Sequence, residues 1–126
     1  MKLSKRIVAL VFSLMLVLSI SAVSASAALI QTVSVTTNTT TKVVGKATST
    51  RTESCIYLYV GKHERKISDG STKNKYNSNT VYNTNTLTVT NNVDSGYTFY
   101  GGYDVHGTFS YGGNIYPQVI DTDVIE

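Results

Sequence analysis

"SCIYLYVGK", residues 54–62, decides the fold class. In an extended chain successive side chains point to opposite faces. That places Ile56, Leu58 and Val60 on one side of the run and Cys55, Tyr57 and Tyr59 on the other. β-branched and aromatic residues fit a pleated surface, and apolar groups on both faces mark a strand with neighbours on either side. The stretch is therefore read as the central strand of a sheet.

The flanking sequence repeats the pattern more weakly. Segments 29–36 (LIQTVSVT), 42–49 (KVVGKATS), 80–90 (TVYNTNTLTVT), 97–106 (YTFYGGYDVH) and 115–121 (IYPQVID) alternate or carry β-formers. Nowhere after Ala28 do apolar residues recur at helical spacing for more than one turn. Between the segments lie polar connections: TNTTTK (37–42), residues 63–79 with an Asp69-Gly70 turn signal, NNVDSG (91–96) and GTFSYGGN (107–114). Pro117 lacks an N–H for a ladder and favours an edge for the last strand. The expectation is an all-β fold: a small antiparallel β-sandwich of six to seven strands, immunoglobulin-like in connectivity.

The N-terminus reads as an export signal. MKLSKR precedes the apolar run IVALVFSLMLVLSI, which ends in small residues and the Ala25-Ser26-Ala27 cleavage pattern. Residues 1–27 are expected to be a cleaved secretory signal peptide and residues 28–126 a single domain. No membrane span is expected after cleavage, and the location is extracellular. Three of the eleven Lys and Arg (Lys2, Lys5, Arg6) lie in the signal, which leaves eight cations against eight acids. With a balanced charge, nucleic-acid binding loses its electrostatic basis. Cys55 is the only cysteine, so no intrachain bridge forms. It is read as a small apolar filler, with a disulfide-linked dimer as the minority reading. An exported domain without disulfides suits a bacterial source.

Two short stretches resemble known families. Asp94-Ser95-Gly96-Tyr97-Thr98-Phe99 resembles the D-x-G-x-Y approach to the sixth strand of immunoglobulin domains, with Thr98 where the corner tyrosine stands. Gly107-Thr108-Phe109-Ser110-Tyr111-Gly112 resembles the G-T-W-x-Y-G stretch of lactococcin-type secreted bacteriocins, with Phe109 in the Trp position. The first implies the sandwich topology; the second implies an antimicrobial role.

If the third, sixth and last strands share a sheet, strand phase sorts the aromatic residues. Tyr97, Phe99, Tyr103 and Val105 form a core set with Gly101, while Thr98, Tyr100, Asp104 and His106 point outward. A one-residue bulge at Gly101-Gly102 would reverse the second half of that assignment. The candidate binding residues are Tyr57, Tyr59, Tyr100, His106 and Tyr116 on one exposed face. Aromatic rings with hydroxyl rims suit a cell-wall polysaccharide or a surface protein. The competing reading is that these tyrosines only stabilise the sheet.

Catalysis and metal chemistry find little in the sequence. A nucleophile needs a base and an orienting group within reach, and only His63 and His106 are available as bases. His106 with Asp104 and Cys55 is the one arrangement that shares a face. No ligand spacing suits zinc or calcium, and neither a metal nor another cofactor is expected. The sequence thus points to a small secreted, non-enzymatic binding or interaction protein, with a bacteriocin-like or toxin effector as the alternative.

Overall fold

The computed structural model describes residues 28–123. The signal-peptide expectation for residues 1–27 lies outside the described residues. The chain forms six strands: β1 (Gln31–Asn38), β2 (Lys42–Lys66), β3 (Thr72–Asn92), β4 (Tyr97–Tyr111), β5 (Asn114–Ile115) and β6 (Val119–Thr122). All pairings are antiparallel, and hydrogen bonds join the strands into one sheet.

β2 organises the whole. Along one edge it pairs with β3. Along the other it pairs first with β1, through residues 43–49, and then with β4, through residues 55–66. Between Thr48 and Glu53 the β2–β3 register shifts, and Asn83, on the facing part of β3, has φ 53°. Both long strands therefore bend at the same place. Segments 31–38, 42–49 and 86–92 lie side by side before the bend; segments 72–84, 54–66, 97–111 and 119–122 lie side by side beyond it.

The bend lets one sheet cover its own apolar face. A Cβ added at Gly45 would sit 2.6 Å from Val60 Cγ2 and 3.0 Å from Val105 Cγ1, so the first part of β2 packs on the second part and on β4. Val43, Ala47, Leu87 and Val89 come from one side of the resulting core, and Ile56, Leu58, Val60, Phe99, Val105 and Phe109 from the other. All are buried. Burying a large aliphatic or aromatic side chain contributes roughly 1.5–3 kcal/mol, and no disulfide assists.

Several boundaries differ from the sequence reading. Segments 42–49 and 54–62 belong to one strand, because the chain stays extended through the corner and resumes pairing with β3 at Glu53. Residues 63–79 hold a strand end, a short turn and the start of β3. The turn is at Asp69-Gly70 as expected: Gly70 N–H donates to Lys66 O (2.8 Å) and Ser71 N–H to Asp69 Oδ1 (2.9 Å). The residues after it are polar because this part of β3 is exposed on both faces, so the composition reports exposure and not the absence of a strand. Residues 107–111, expected in a loop, continue β4, with Phe109 fully buried.

Candidate functional site

The structure pairs segment 54–66 with β4 and β4 with β6, which creates the shared face that the sequence suggested. The deciding detail is at Gly101-Gly102. Lys62 pairs with Tyr103 while His63 pairs with Tyr100, so two residues, not one, are left out of the ladder. A two-residue bulge preserves the phase: Phe99, Val105 and Phe109 are buried, and Tyr103 packs against the core. Gly101 takes φ 71°, a conformation that an L side chain rarely adopts.

The candidate tyrosines divide into three groups. Tyr59 stacks between Tyr76 (ring centroids 5.2 Å apart) and His106 (4.5 Å). Its hydroxyl accepts from Asn74 Nδ2 (3.3 Å), and Gln118 Nε2 donates to His106 Nδ1 (2.7 Å). Tyr100 stands apart from this row, tilted against His63 at 6.0 Å with the Arg65 guanidinium 4.5 Å from its ring centroid. Tyr57 is half-buried on the same face between Thr80 and Thr108. Tyr116 is elsewhere. It lies near the bend, where Arg51 sits 4.0 Å from the Tyr111 ring and 4.9 Å from the Tyr116 ring. It leaves the face because the turn at Gly112-Gly113 returns the chain along the Arg51 end of β4, through β5 and a Tyr116 N–H bond to Phe109 O (3.0 Å), before β6 pairs further along.

Stacking changes what the face offers. Rings packed on one another turn their edges and hydroxyls outward, and both faces of Tyr59 are already covered. Flat stacking on Tyr59 is closed to a ligand; hydrogen bonding to the ring edges is open.

Beside this row the bulge leaves a cleft of about 490 Å³, lined by Gly61, Lys62, His63, Asn74, Gly102, Tyr103, Asp104, Thr122 and Asp123. That volume lies within the usual range for small-molecule sites. The Tyr59 ring roofs Gly61 at one wall, since a Cβ there would meet Tyr59 Cε1 and the hydroxyl at 2.8 Å. Lys62 reaches the cleft from a nearly buried position, with Nζ donating to Asn38 Oδ1. Burial pushes its pKa down, and the charge of Asp123 opposes the shift. Tyr103 donates to Asp121 Oδ1 (3.4 Å); burial, reinforced by the nearby carboxylates, pushes its pKa up and keeps the phenol protonated. Thr122 Oγ1 donates to Asp104 Oδ1 at 3.4 Å. The lining thus mixes donors and acceptors of both charges around a partly apolar wall.

No nucleophile–base pair is assembled on this face. Cys55 lies opposite Ser110, and His106 stands four residues further along β4, roughly 13 Å away at strand rise. Among the described residues, no group of three or more His, Cys, Asp or Glu side chains is placed to hold a metal. Sequence reasoning missed Tyr76, Asn74 and Lys62. The first two fell in a stretch read as loop. Lys62 was legible, because it continues the phase of Ile56, Leu58 and Val60.

No protein-family model matches the chain, and no curated protein matches it. Among solved structures, a β-glucuronidase of Bacteroides uniformis matches with a TM-score of 0.28 at 10% identity. That likeness covers 75% of this chain and 13% of the glucuronidase, and carries no argument about fold or activity.

Proposed function

We propose that the chain is a small exported, non-enzymatic binding protein that takes a saccharide unit of a cell-surface glycan into the cleft beside Tyr59. The carrying observation is the cleft itself, an opening of about 490 Å³ where a two-residue bulge interrupts the β2–β4 ladder. A sugar ring presents many hydroxyls and a few apolar C–H faces. The cleft answers with carboxylate acceptors at Asp104 and Asp123, amide and ammonium donors at Asn74 and Lys62, and phenol at Tyr103. Bulges are frequent next to functional sites because they re-aim side chains.

The same reading takes the bent sheet as a β-sandwich of immunoglobulin-like connectivity. In support, 31–38, 42–49 and 86–92 form one layer, and 54–66, 97–111 and 119–122 adjoin in the order expected of the facing layer. The bacteriocin-like alternative gains nothing from the geometry. Of its six residues, Phe109 is buried, and a Cβ at Gly107 would meet Val33 Cγ2 at 2.8 Å, which are folding roles.

Retention on purified cell-wall polysaccharide tests the proposal. Asp104→Ala is expected to weaken binding about tenfold or more, the loss of one charged hydrogen-bond partner. Tyr59→Ala, which unroofs Gly61 and breaks the stacked row, is expected to do the same. Unchanged retention by both variants, each with a native circular dichroism spectrum, would sink the reading.

A further inference from the structure

β3 pairs with β2 along one edge from Thr72 to Asn92 and lies beside no other strand. Its second edge has no strand partner among the described residues. Proteins usually guard such an edge with charges, proline or a covering loop. Here Lys73 and Lys75 guard only the beginning, and residues 76–93, YNSNTVYNTNTLTVTNNV, contain no charged residue, no proline and no glycine. Asn77 Nδ2 donates to Thr90 O and Asn91 Nδ2 to Lys75 O, both at 2.8 Å, so side-chain amides close the edge at one end. Beyond that stitch no strand covers the edge, and the Ser78 and Thr80 N–H groups are held only by the adjoining Asn77 and Asn79 side chains (3.0 and 2.8 Å), which a second strand would displace.

We propose that residues 76–82 pair antiparallel with the same residues of a second copy of this chain, about a twofold axis at Asn79. Three features select a second copy as the occupant. Tyr76 and Tyr82 are 59% and 69% exposed and lie on the same outer face, opposite Gly61 and Cys55 respectively. They are equidistant from Asn79, so the twofold register sets Tyr76 of each copy across from Tyr82 of the other, twice, as aromatic cross-strand pairs. The register also brings no like charges together: Ser78 meets Thr80, and Lys75 meets Asn83. An isologous pairing of this kind closes on itself, so it ends at a dimer and not a fibre. It also joins the outer faces of two copies into one continuous sheet with two clefts, without requiring that the clefts bind anything.

Sedimentation equilibrium of the chain from residue 28 onward is the test. The wild type is expected to associate as a dimer. Asn79→Lys, which sets two lysines face to face on the axis, is expected to raise the dissociation constant at least tenfold and leave the monomer's melting midpoint unchanged. Should that variant fold poorly, Asn79→Cys in a Cys55→Ser background takes its place, and oxidation is expected to give a covalent dimer. A wild type that stays monomeric at every concentration overturns the proposal. So does a dimer that Asn79→Lys leaves intact, or a cysteine variant that oxidises without cross-linking.

Discussion

Glu53 and Glu64 stand at opposite ends of the second half of β2, and both carboxylates are completely buried. At the bend, Glu53 Oε1 accepts from Ser49 Oγ (2.6 Å) and Gln31 Nε2 (2.9 Å), and Arg51 Nε approaches to 3.3 Å. At the far end, Glu64 Oε2 accepts the Asp94 N–H (3.0 Å), while Lys73 Nζ lies 3.2 Å from Oε1 and is shared with Asp94 at 2.8 Å. One glutamate is held through Oε1 mainly by neutral donors from β1 and β2, while its buried Oε2 has no hydrogen-bond partner among the described residues. The other belongs to an ionic cluster, completed by Lys75 at 2.8 Å from Asp94, which fixes the β3–β4 connection. A sheet folded on itself has two open ends. Without a disulfide, this chain seals each with a buried acid, by different means.

The comparison sharpens on removal of each acid. Glu53→Ala takes the common acceptor from three groups, and the expected loss of folding free energy is about 3 kcal/mol. Glu64→Ala leaves Lys73 still bonded to Asp94, and about 1–2 kcal/mol is expected. Urea unfolding of the two variants checks the order; a larger loss for Glu64→Ala would show that the ionic end carries more of the fold.

The two ends were unequally legible in the sequence. Alternation placed Ile56, Leu58, Val60, Phe99 and Val105 inward, and each is buried. Carried two steps further it would have placed Lys62 and Glu64 inward as well, but charged residues at a strand end are ordinarily exposed, so the pattern is easily dropped there. Residues 72–79 of β3 left no periodic trace because they are mostly exposed and polar, and Tyr76 was lost with them. The size of the Gly101-Gly102 bulge depends on the register with β2, a long-range property that local sequence does not encode. The shared face of Tyr57, Tyr59, Tyr100 and His106 was legible; the departure of Tyr116 from it and the cleft beside it were not.

pH and salt separate the ends next. Hydrogen bonds from Lys73 and Lys75 hold the Asp94 carboxyl well below the usual range, and Asp94 and Glu64 hold Lys73 well above the usual lysine range. A depressed carboxyl stabilises the fold above its unfolded pKa, about 4, and that contribution is lost as the pH falls toward the folded value. A raised lysine contributes fully below its unfolded pKa, about 10.4, and loses the contribution as the pH rises through the folded one. The melting midpoint is therefore expected to fall on both sides of a neutral plateau. Asp94→Asn should make both limbs shallower. Glu53 also sits below its usual range: burial opposes its charge, but the bonds from Ser49, Gln31 and Arg51 outweigh that cost. Its share of the acid limb should survive in Asp94→Asn and in high salt, since neutral donors are not screened. Thermal melts across pH at low and high salt decide this, and an unchanged acid limb in Asp94→Asn would refute the assignment.

The smallest effect concerns how the bend end is covered. Arg51 offers Nε to Glu53 while its guanidinium lies over Tyr111 and Tyr116. Lysine keeps the charge but loses the planar group that bonds and stacks at once. Arg51→Lys should cost about 0.5–1 kcal/mol, the size of an exposed cation–π contact. Because the arginine has two kinds of partner, a double-mutant cycle is needed to apportion the loss. Coupling to Tyr111→Leu of roughly half a kcal/mol or more would assign it to the ring contact. Coupling only to Glu53→Gln would assign it to the buried acid, and the bend end would then depend on an ion pair after all, like its counterpart at Glu64.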